Sequence, residues 1–276
     1  MVSIVPVGGM RPVHGTASNA IVDRLVTAMG GKSFSRDWVL PAEATLYMQH
    51  GFKLTPMLQD AIDKRVPFVI VDHGYYGNRI ATMSLSINGF HGLSMPVPEV
   101  RLLKPRPRPT LEPWREGGTH VYVYGQLQND RACRGQNMET WPTRTAQAAA
   151  EAFSMPAIVR PHPKSIRQGQ PPLPALETTF ADAYVAVTWT STVGVLAAIA
   201  GVPLVAMHPA SPAFAVGSPS LSRIRMPGRE SWLHDLSYRQ YGLGEIGAAI
   251  DYIRLAYPAA LAAAKRGEFD TIGLRV

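Results

Sequence analysis

The segment Arg160-Pro161-His162-Pro163-Lys164 combines residue types that bind phosphate. It follows an apolar run at 157–159, which predicts a position at the end of a strand. A proline locks its own φ and restricts the residue before it, so the two prolines should hold His162 extended. The imidazole can then donate to a phosphate oxygen, while Arg160 and Lys164 add positive charge. The pattern predicts a phosphate-binding loop; the alternative is a loop histidine beside a proline turn.

A second candidate anion site is Thr190-Ser191-Thr192, between a strand predicted over 184–191 and a helix predicted over 192–201. Thr190 or Ser191 can cap that helix, whose first N–H groups and dipole attract anions. Gly194 would let a ligand or a neighbouring backbone approach closely. The alternative is capping alone. Two phosphate-competent loops after nearby strands predict a nucleotide ligand with one or two phosphates.

The elements that position these loops alternate between strands and helices. Such alternation predicts a parallel sheet covered by helices. Ligands bind at the carboxyl ends of parallel strands, which adds Gly125 and Gln126 to the candidate site. The strands are predicted at 120–126, 156–160, 184–191 and 202–207, and the helices at 141–154, 174–183 and 192–201.

The first part of the chain is less regular. A buried strand at 67–71 ends in Asp72 and His73, and alternating polarity at 81–89 predicts an exposed strand. Helices are predicted at 17–31 and 56–66, a strand at 37–42, and a structural helix within 231–253. The proline- and arginine-rich segment 95–118 indicates a linker. Its alternative is a long surface loop within a single domain.

Composition limits the class of protein. The net charge of +7 and the pI of about 9.7 favour a polyanionic partner, although many folded enzymes are mildly basic. The single cysteine, Cys133, excludes an internal disulfide and a multi-cysteine metal site. No run reaches the length of a membrane helix, and the N-terminus lacks signal-peptide features. These features predict a cytoplasmic protein without membrane insertion.

Two stretches carry a resemblance to a known family. "VRPHPK" at 159–164 and "FADAYVAVTWTSTVGVLAAIAGVPLVAM" at 180–207 resemble the nucleotide-sugar half of GT-B glycosyltransferases. The similarity is to the capsule-polysaccharide type, which includes Kdo transferases and polysialyltransferases. In that family a His-Pro pair and a Ser/Thr-rich turn bind the donor's nucleotide and phosphate. The resemblance implies these roles for His162 with Pro163 and for Ser191 with Thr192.

The resemblance covers roughly residues 120–210 and has one departure. The family's acidic residue, which often holds the donor ribose, is replaced here by Leu196. The donor is therefore expected to be a UDP-, GDP- or CMP-linked sugar of unspecified identity. The family positions that this chain keeps are Ser191, Gly194, Ala197, Gly201 and Pro203.

Two other stretches, "VIVDHGYYGNR" and "RESWLHDLSYRQYGLGEI", resemble segments of uncharacterised phage proteins. Phages use small glycosyltransferases to modify hydroxymethylated pyrimidines in their DNA. This resemblance implies a double-stranded DNA acceptor, which would agree with the basic runs at 104–109 and 223–229. The alternative for those runs is a solvated basic face.

Sugar transfer requires a base for the acceptor hydroxyl and charges that stabilise the leaving phosphate. We expect Asp72 to be the base, with His73 and then His14 as the next candidates; a turn cap is the alternative for Asp72. Tyr75 and Tyr76 could stack on a base or sugar. The arginines expected to bind DNA phosphates are Arg106, Arg108, Arg223, Arg225 and Arg229. Without an aspartate-rich motif, no metal is expected.

The sequence thus predicts an α/β, GT-B-like protein with two Rossmann-like domains whose parallel sheets face a cleft. The acceptor-side domain is predicted at 1–112, the nucleotide-sugar domain at 113–230, and C-terminal helices that cross back to the first domain at 231–276. The predicted activity is sugar transfer to a 5-hydroxymethylpyrimidine in DNA. The alternatives are transfer to a polysaccharide and a non-catalytic nucleic-acid-binding protein.

Overall fold

A computed structural model describes residues 4–10, 17–35, 39–52, 54–133, 135–166, 168 and 170–270. The chain divides into two compact units. The first combines the described residues of Met1–Pro107 and His234–Arg275, and the second is Arg108–Leu233. The crossing at residues 107 and 108 lies inside the proline- and arginine-rich segment 95–118. The first unit is therefore built from two separate stretches of chain.

The first unit contains a six-stranded mixed sheet. Numbered in chain order, its strands are β1 (Pro6–Met10), β2 (Lys32–Ser35), β3 (Leu46–His50), β4 (Phe68–His73), β5 (Thr82–Ile87) and β10 (Gln240–Gly242). They lie in the order β10-β5-β4-β3-β1-β2. Strands β2, β1, β3 and β4 are parallel, as the sequence predicts for the sheet. Strands β5 and β10 are antiparallel additions, so a wholly parallel sheet is wrong for this unit.

A short connection explains the antiparallel pairing of β4 with β5. Only residues 74–81 join the two strands, which is too short for the crossover that a parallel pair requires. Gly74 allows this turn to close, since a Cβ there would lie 2.0 Å from Oγ1 of Thr82. The predicted strand at 37–42 is not found in its described part, because residues 39–42 form no strand.

Helices cover the first sheet. They are α1 (Ala17–Ala28), α2 (Pro56–Asp63) and α7 (Ile246–Lys265), while α6 (Glu230–Tyr238) carries the chain from the second unit into the first. Helix α2 begins where Oγ1 of Thr55 accepts the N–H of Leu58 and Pro56 occupies the first turn. Helix α7 contributes a buried face to the core, including Ile250, Ile253 and Tyr257.

The second unit confirms the predicted β-α alternation. Its elements are β6 (His120–Tyr124), α3 (Trp141–Phe153), β7 (Ala157–Arg160), α4 (Leu176–Ala181), β8 (Ala183–Thr188), α5 (Val193–Ile199) and β9 (Leu204–Ala206). The four strands are all parallel, in the order β7-β6-β8-β9, and the core packs valines of the sheet against Trp141. The chain order reverses between β6 and β8, the kind of switch point at which α/β sheets bind ligands.

The α/β fold class is therefore confirmed, with parallel strands in the majority. In the part of the chain that the structure describes, no helix has both the length and the apolar character needed to cross a membrane.

Candidate functional site

A pocket of about 630 Å³ lies at the carboxyl ends of β6 and β7 in the second unit. The loop after β6, the start of α3 and the turn after β7 form its wall. This arrangement brings together three of the predicted donor-binding residues, Gly125, Gln126 and His162. The lining includes Gly125, Gln126, Gln128, Met138, Pro142, Pro161 and His162.

His162 is held in the extended conformation that the flanking prolines predict, with φ −67° and ψ 137°. Its Nδ1 accepts the backbone N–H of Lys164 at 3.1 Å. Its carbonyl oxygen accepts the N–H and the hydroxyl of Ser165 at 2.8 and 2.7 Å. Because Nδ1 is an acceptor, the neutral ring carries its proton on Nε2, which is the nitrogen able to donate to an anion.

The two cations beside His162 lie outside the lining of the pocket. Arg160 donates from Nη2 to the carbonyl of Pro174 at 2.9 Å, and its Nε is buried with no partner among the residues described. Lys164 is exposed. Arg160 therefore anchors the segment that precedes α4.

Gln126 ties the ends of β6 and β8 together. Its Oε1 accepts the N–H of Thr190 at 2.8 Å, and its Nε2 donates to the Thr190 hydroxyl at 3.0 Å. The same Nε2 lies 3.2 Å from Oδ2 of Asp130. Cys133, whose pKa burial raises to about 12, lies 3.9 Å from that hydroxyl and is an inert neighbour. Gln126 thus braces the switch point while it lines the pocket.

The turn before α5 differs from the expected anion site. Oγ of Ser191 accepts the N–H of Val193 at 3.2 Å, but the cap of α5 is Thr192, whose side chain makes no capping bond, so the predicted capping by Thr190 or Ser191 is wrong. The Ser191 carbonyl accepts the N–H of Gly194 at 3.1 Å, and the Thr192 carbonyl accepts that of Val195 at 3.0 Å. These N–H groups already have acceptors, so the expected free donors at the helix start are not found there.

Thr190, Thr192 and Gly194 face the protein interior. Both threonines are buried, and a Cβ on Gly194 would lie 3.2 Å from Oγ1 of Thr188 and 3.3 Å from Cδ1 of Leu204. Gly194 is therefore a packing position between α5 and the sheet, so its expected contact with a ligand is corrected. Gly125, by contrast, lines the pocket with room for a Cβ, and its N–H donates to the Arg160 carbonyl.

In the first unit, Asp72 and His73 lie at the end of β4. Oδ1 of Asp72 accepts the N–H of His73 at 2.7 Å, as a turn cap would. Oδ2 lies 3.9 Å from Nε2 of His91, a buried residue whose pKa desolvation lowers to about 4. His50, from the end of β3, lies beside Asp72 and His73. His14 lies outside the described residues.

The sequence does not single out His50 or His91, because neither lies in a motif. His50 ends a strand that was not predicted, and His91 lies in a short 3-10 turn at His91–Leu93 with φ 46°. The signal that the sequence offers for His50 is its position at the end of the mostly apolar run "LYMQH", where a strand would end.

The two tyrosines after β4 have different environments. Tyr75 is fully buried, with its ring 5.3 Å from that of His91, so the expected stacking on a ligand is corrected for this residue. Tyr76 is half-buried, and its hydroxyl donates to the Pro107 carbonyl at 3.3 Å.

Two of the five predicted phosphate-binding arginines are engaged inside the protein. Arg106 forms two bonds to the Glu245 carboxylate at 2.9 and 2.7 Å and lies 4.5 Å from the centre of the Tyr241 ring. Arg229 is 6% exposed; it stacks on Trp114 at 3.8 Å and donates to the Glu112 carbonyl. Their guanidinium groups already have acceptors, so the expected DNA contacts are corrected for both.

The other three arginines reach the surface. Arg108 and Arg223 are exposed, and Arg225 is exposed although it also donates to the Gly217 carbonyl. The exposed basic surface is therefore smaller than the sequence indicates.

Comparison with solved structures finds proteins of similar fold. No family model matches the chain, and no curated protein matches it. Among solved structures, the KpsC β-Kdo 2,4 transferase of Thermosulfurimonas dismutans is similar with a TM-score of 0.55 and 14% identity, covering 93% of this chain and 98% of that one. The KpsC β-Kdo 2,7 transferase of the same organism has a TM-score of 0.53 and 13% identity, with coverage of 90% and 99%. At this identity the likeness is one of fold, and it agrees with the predicted resemblance to Kdo transferases at that level.

Proposed function

We propose that this chain is a glycosyltransferase that binds a nucleotide-sugar donor in the pocket of its second unit. The observation that carries the proposal is the convergence of Gly125, Gln126 and His162 on one pocket at the carboxyl ends of parallel strands. Its volume of about 630 Å³ falls within the range of about 300–1,000 Å³ for small-ligand sites. The fold shared with two Kdo transferases supports the same reaction class.

The pocket supplies groups for the departing phosphate. The Nε2–H of His162 is the proposed donor to a phosphate oxygen, since the turn already occupies Nδ1. Lys164 and Arg160 flank it in the chain, outside the pocket lining, and are proposed to add positive charge. Pro163 and Ser191 keep the donor contacts that the family resemblance implies, whereas Thr192 is buried and is not assigned one. A UDP-, GDP- or CMP-linked sugar remains the expected donor, and Kdo is the first sugar to test because both similar structures are Kdo transferases.

We propose a saccharide hydroxyl as the acceptor. The names of both similar structures favour it, as does the internal engagement of Arg106 and Arg229. A 5-hydroxymethylpyrimidine in DNA is the second candidate, supported by the net charge of +7 and by exposed Arg108, Arg223 and Arg225. A non-catalytic nucleic-acid-binding protein is the third possibility that the assay must separate.

The test is a transfer assay read by mass spectrometry. The protein is incubated with a pool of UDP-, GDP- and CMP-sugars, including CMP-Kdo, together with oligosaccharide acceptors or hydroxymethylated DNA. A sugar-sized mass gain on an oligosaccharide is the expected result, and a gain on a nucleoside would select the DNA acceptor instead. Duplex binding with neither mass gain nor thermal stabilisation by nucleotide would refute the proposal in favour of a binding protein.

We assign the role of base to Asp72, with His73 as the alternative. Asp72→Asn keeps the size and the Oδ1 acceptor for the His73 N–H but loses the carboxylate charge. We expect nucleotide affinity to be unchanged and transfer to fall about 100-fold or more, the usual contribution of a general base. Retained turnover in a folded Asp72→Asn protein would exclude this assignment, and His73→Gln would then be tested in the same assay.

A further inference from the structure

We infer that His50, Asp72 and His73 form a binding site for a divalent transition metal ion, with Zn²⁺ as the expected species. One potential ligand atom from each of the three side chains lies within 4.8 Å of the other two. The rings of His50 and His73 meet edge to face, with their centres 5.8 Å apart. Two imidazoles and one carboxylate thus converge on one point of the first unit.

The sheet positions these three residues. Strands β3 and β4 are parallel neighbours, and His50 pairs in register with Val71, the residue before Asp72. All three side chains therefore extend from the carboxyl ends of two central strands whose preceding residues are buried. Ligands carried on packed strands are held more precisely than ligands on loops.

The ligand types select the metal. Imidazole nitrogens suit Zn²⁺ and its neighbours in the transition series, whereas Mg²⁺ and Ca²⁺ prefer sites made only of oxygen. Three protein ligands leave a fourth tetrahedral position open, as in catalytic zinc sites. Bonds of about 2.1 Å place tetrahedral ligand atoms about 3.4 Å apart, so the cluster closes around an ion by small side-chain rotations. The exposure of His73 gives that ring the freedom to rotate and gives the ion a route of entry.

The surroundings orient the carboxylate. Oδ1 of Asp72 accepts the N–H of His73, and Oδ2 lies 3.9 Å from Nε2 of buried His91. Arg79 donates from Nε to the Gly74 carbonyl and fixes the turn that follows. The bond from the His73 N–H orients the carboxylate directly, and hydrogen-bonded partners of this kind raise metal affinity.

This inference does not rest on the proposed sugar transfer. Metal binding is measured without a donor or acceptor, so failure of one proposal leaves the other intact. The two roles of Asp72 exclude each other in one molecule, because a bound ion would occupy the carboxylate that we assign as the base, so the metal-free protein is the form expected to transfer sugar.

The test uses the full chain after dialysis against a chelator. Zn²⁺ is titrated calorimetrically, and Co²⁺ is titrated in parallel with its visible absorption as a report of imidazole ligation. We expect one Zn²⁺ per chain, a raised melting temperature and a tetrahedral Co²⁺ spectrum. Mg²⁺ should produce no such shift, and an equal response to Mg²⁺ would contradict imidazole ligation.

Single variants identify the ligands. His50→Ala and His73→Ala should each weaken Zn²⁺ binding at least about tenfold. The matched control is His234→Ala, which removes a partly exposed histidine outside the cluster. Melting temperatures without metal establish that each variant is folded; His73 is exposed, so its variant tests the site even if His50→Ala fails to fold. No stoichiometric binding, or binding that His73→Ala leaves unchanged, would overturn the inference.

Discussion

His162 has two ring nitrogens with separate tasks. Nδ1 completes the turn by accepting the Lys164 N–H, and Nε2 carries the proton that we propose is donated to a phosphate oxygen. A substitution that keeps one task and removes the other can therefore separate turn geometry from phosphate binding.

We predict that His162→Asn retains the turn but loses the donor site. The asparagine Oδ1 can replace Nδ1 as the acceptor, while the Nε2–H is gone. Nucleotide affinity should fall about tenfold or more, the value of a hydrogen bond to a charged group, while the melting temperature stays the same. Isothermal titration with nucleotides measures the effect.

The matched control is His234→Asn, a partly exposed histidine outside the pocket, which should bind nucleotide like the parent protein. Unchanged affinity in folded His162→Asn would remove His162 from the donor site.

The conformation and contacts of a single residue can be predicted from the sequence where neighbouring residues determine them. The extended conformation of His162 follows from its two prolines, and the Ser191 hydroxyl accepts the N–H two residues further on, as serine commonly does in a turn. The roles of Tyr75, Arg106 and Arg229 depend on partners far along the chain, such as Glu245 for Arg106. A short sequence window does not contain those partners. From the sequence alone, these three residues therefore look like exposed residues that could bind a ligand.

At the scale of elements, the alternation of polar and apolar residues in β5 wrongly predicts an exposed strand. Its serines indicate an exposed face, yet Ser84 and Ser86 are buried between β4 and β10. Oγ of Ser84 donates to the His73 carbonyl, and Oγ of Ser86 accepts the N–H of His91. Hydrogen bonds offset the burial of these hydroxyls. The strand β10 has only three residues, too few for any periodicity.

The end of α5 is an element boundary with a strict steric requirement. Gly201 has φ 73°, and a Cβ there would lie 2.0 Å from the Pro113 carbonyl oxygen. The adjoining segment is held by backbone bonds from Glu112 to Ile199 and from Arg115 to Gly201. Gly201 therefore lets the incoming segment pack against the helix.

We predict that Gly201→Ala destabilises the second unit by about 1–3 kcal/mol, through positive φ and through the clash with Pro113. Chemical denaturation measures the change in the free energy of unfolding. Gly135→Ala is the matched control, because Gly135 has φ 78° with open space for a Cβ among the described residues. Equal losses in the two variants would show that the contact with Pro113 contributes nothing.

At the scale of the whole molecule, the first unit depends on a late stretch of chain. Glu245, at the start of α7, pairs with Arg106 and also accepts the N–H of Gly242 at 2.6 Å. These bonds, chiefly the one from Arg106, lower the pKa of Glu245 below its usual 4.5. The two stretches of the first unit are thus joined by a bidentate ion pair.

We predict that Glu245→Gln costs about 0.5–1 kcal/mol of unfolding free energy at neutral pH, a modest value because the carboxylate is 46% exposed. A lowered folded pKa contributes stability that is complete above the unfolded value of about 4.5. That stability is lost as the pH falls through the folded pKa. The difference between parent and variant should therefore be constant from pH 6 to 8 and shrink below about 4.5. A difference that persists undiminished at acid pH would contradict this account.

Removal of α7 tests directly whether the first unit depends on the C-terminal stretch of the chain. A chain that stops after Gly244 loses a helix whose buried residues include Ile250, Tyr252, Ile253 and Tyr257. Each buried side chain of this size contributes about 1.5–3 kcal/mol, so the loss approaches or exceeds the typical net stability of about 5–15 kcal/mol. We expect limited proteolysis to degrade the first unit and to spare fragments of 108–233. A protease-resistant first unit would contradict the prediction.

The divided first unit also has a consequence for biosynthesis. Residues 108–233 emerge from the ribosome complete, whereas β1 to β5 must wait for β10 and α7 before their sheet and core are closed. At about 5–20 residues per second, the nascent chain carries these uncovered apolar strands for on the order of 10 s. During translation the later-encoded unit can therefore complete its fold first, while the earlier-encoded one is exposed to aggregation until α7 has been made.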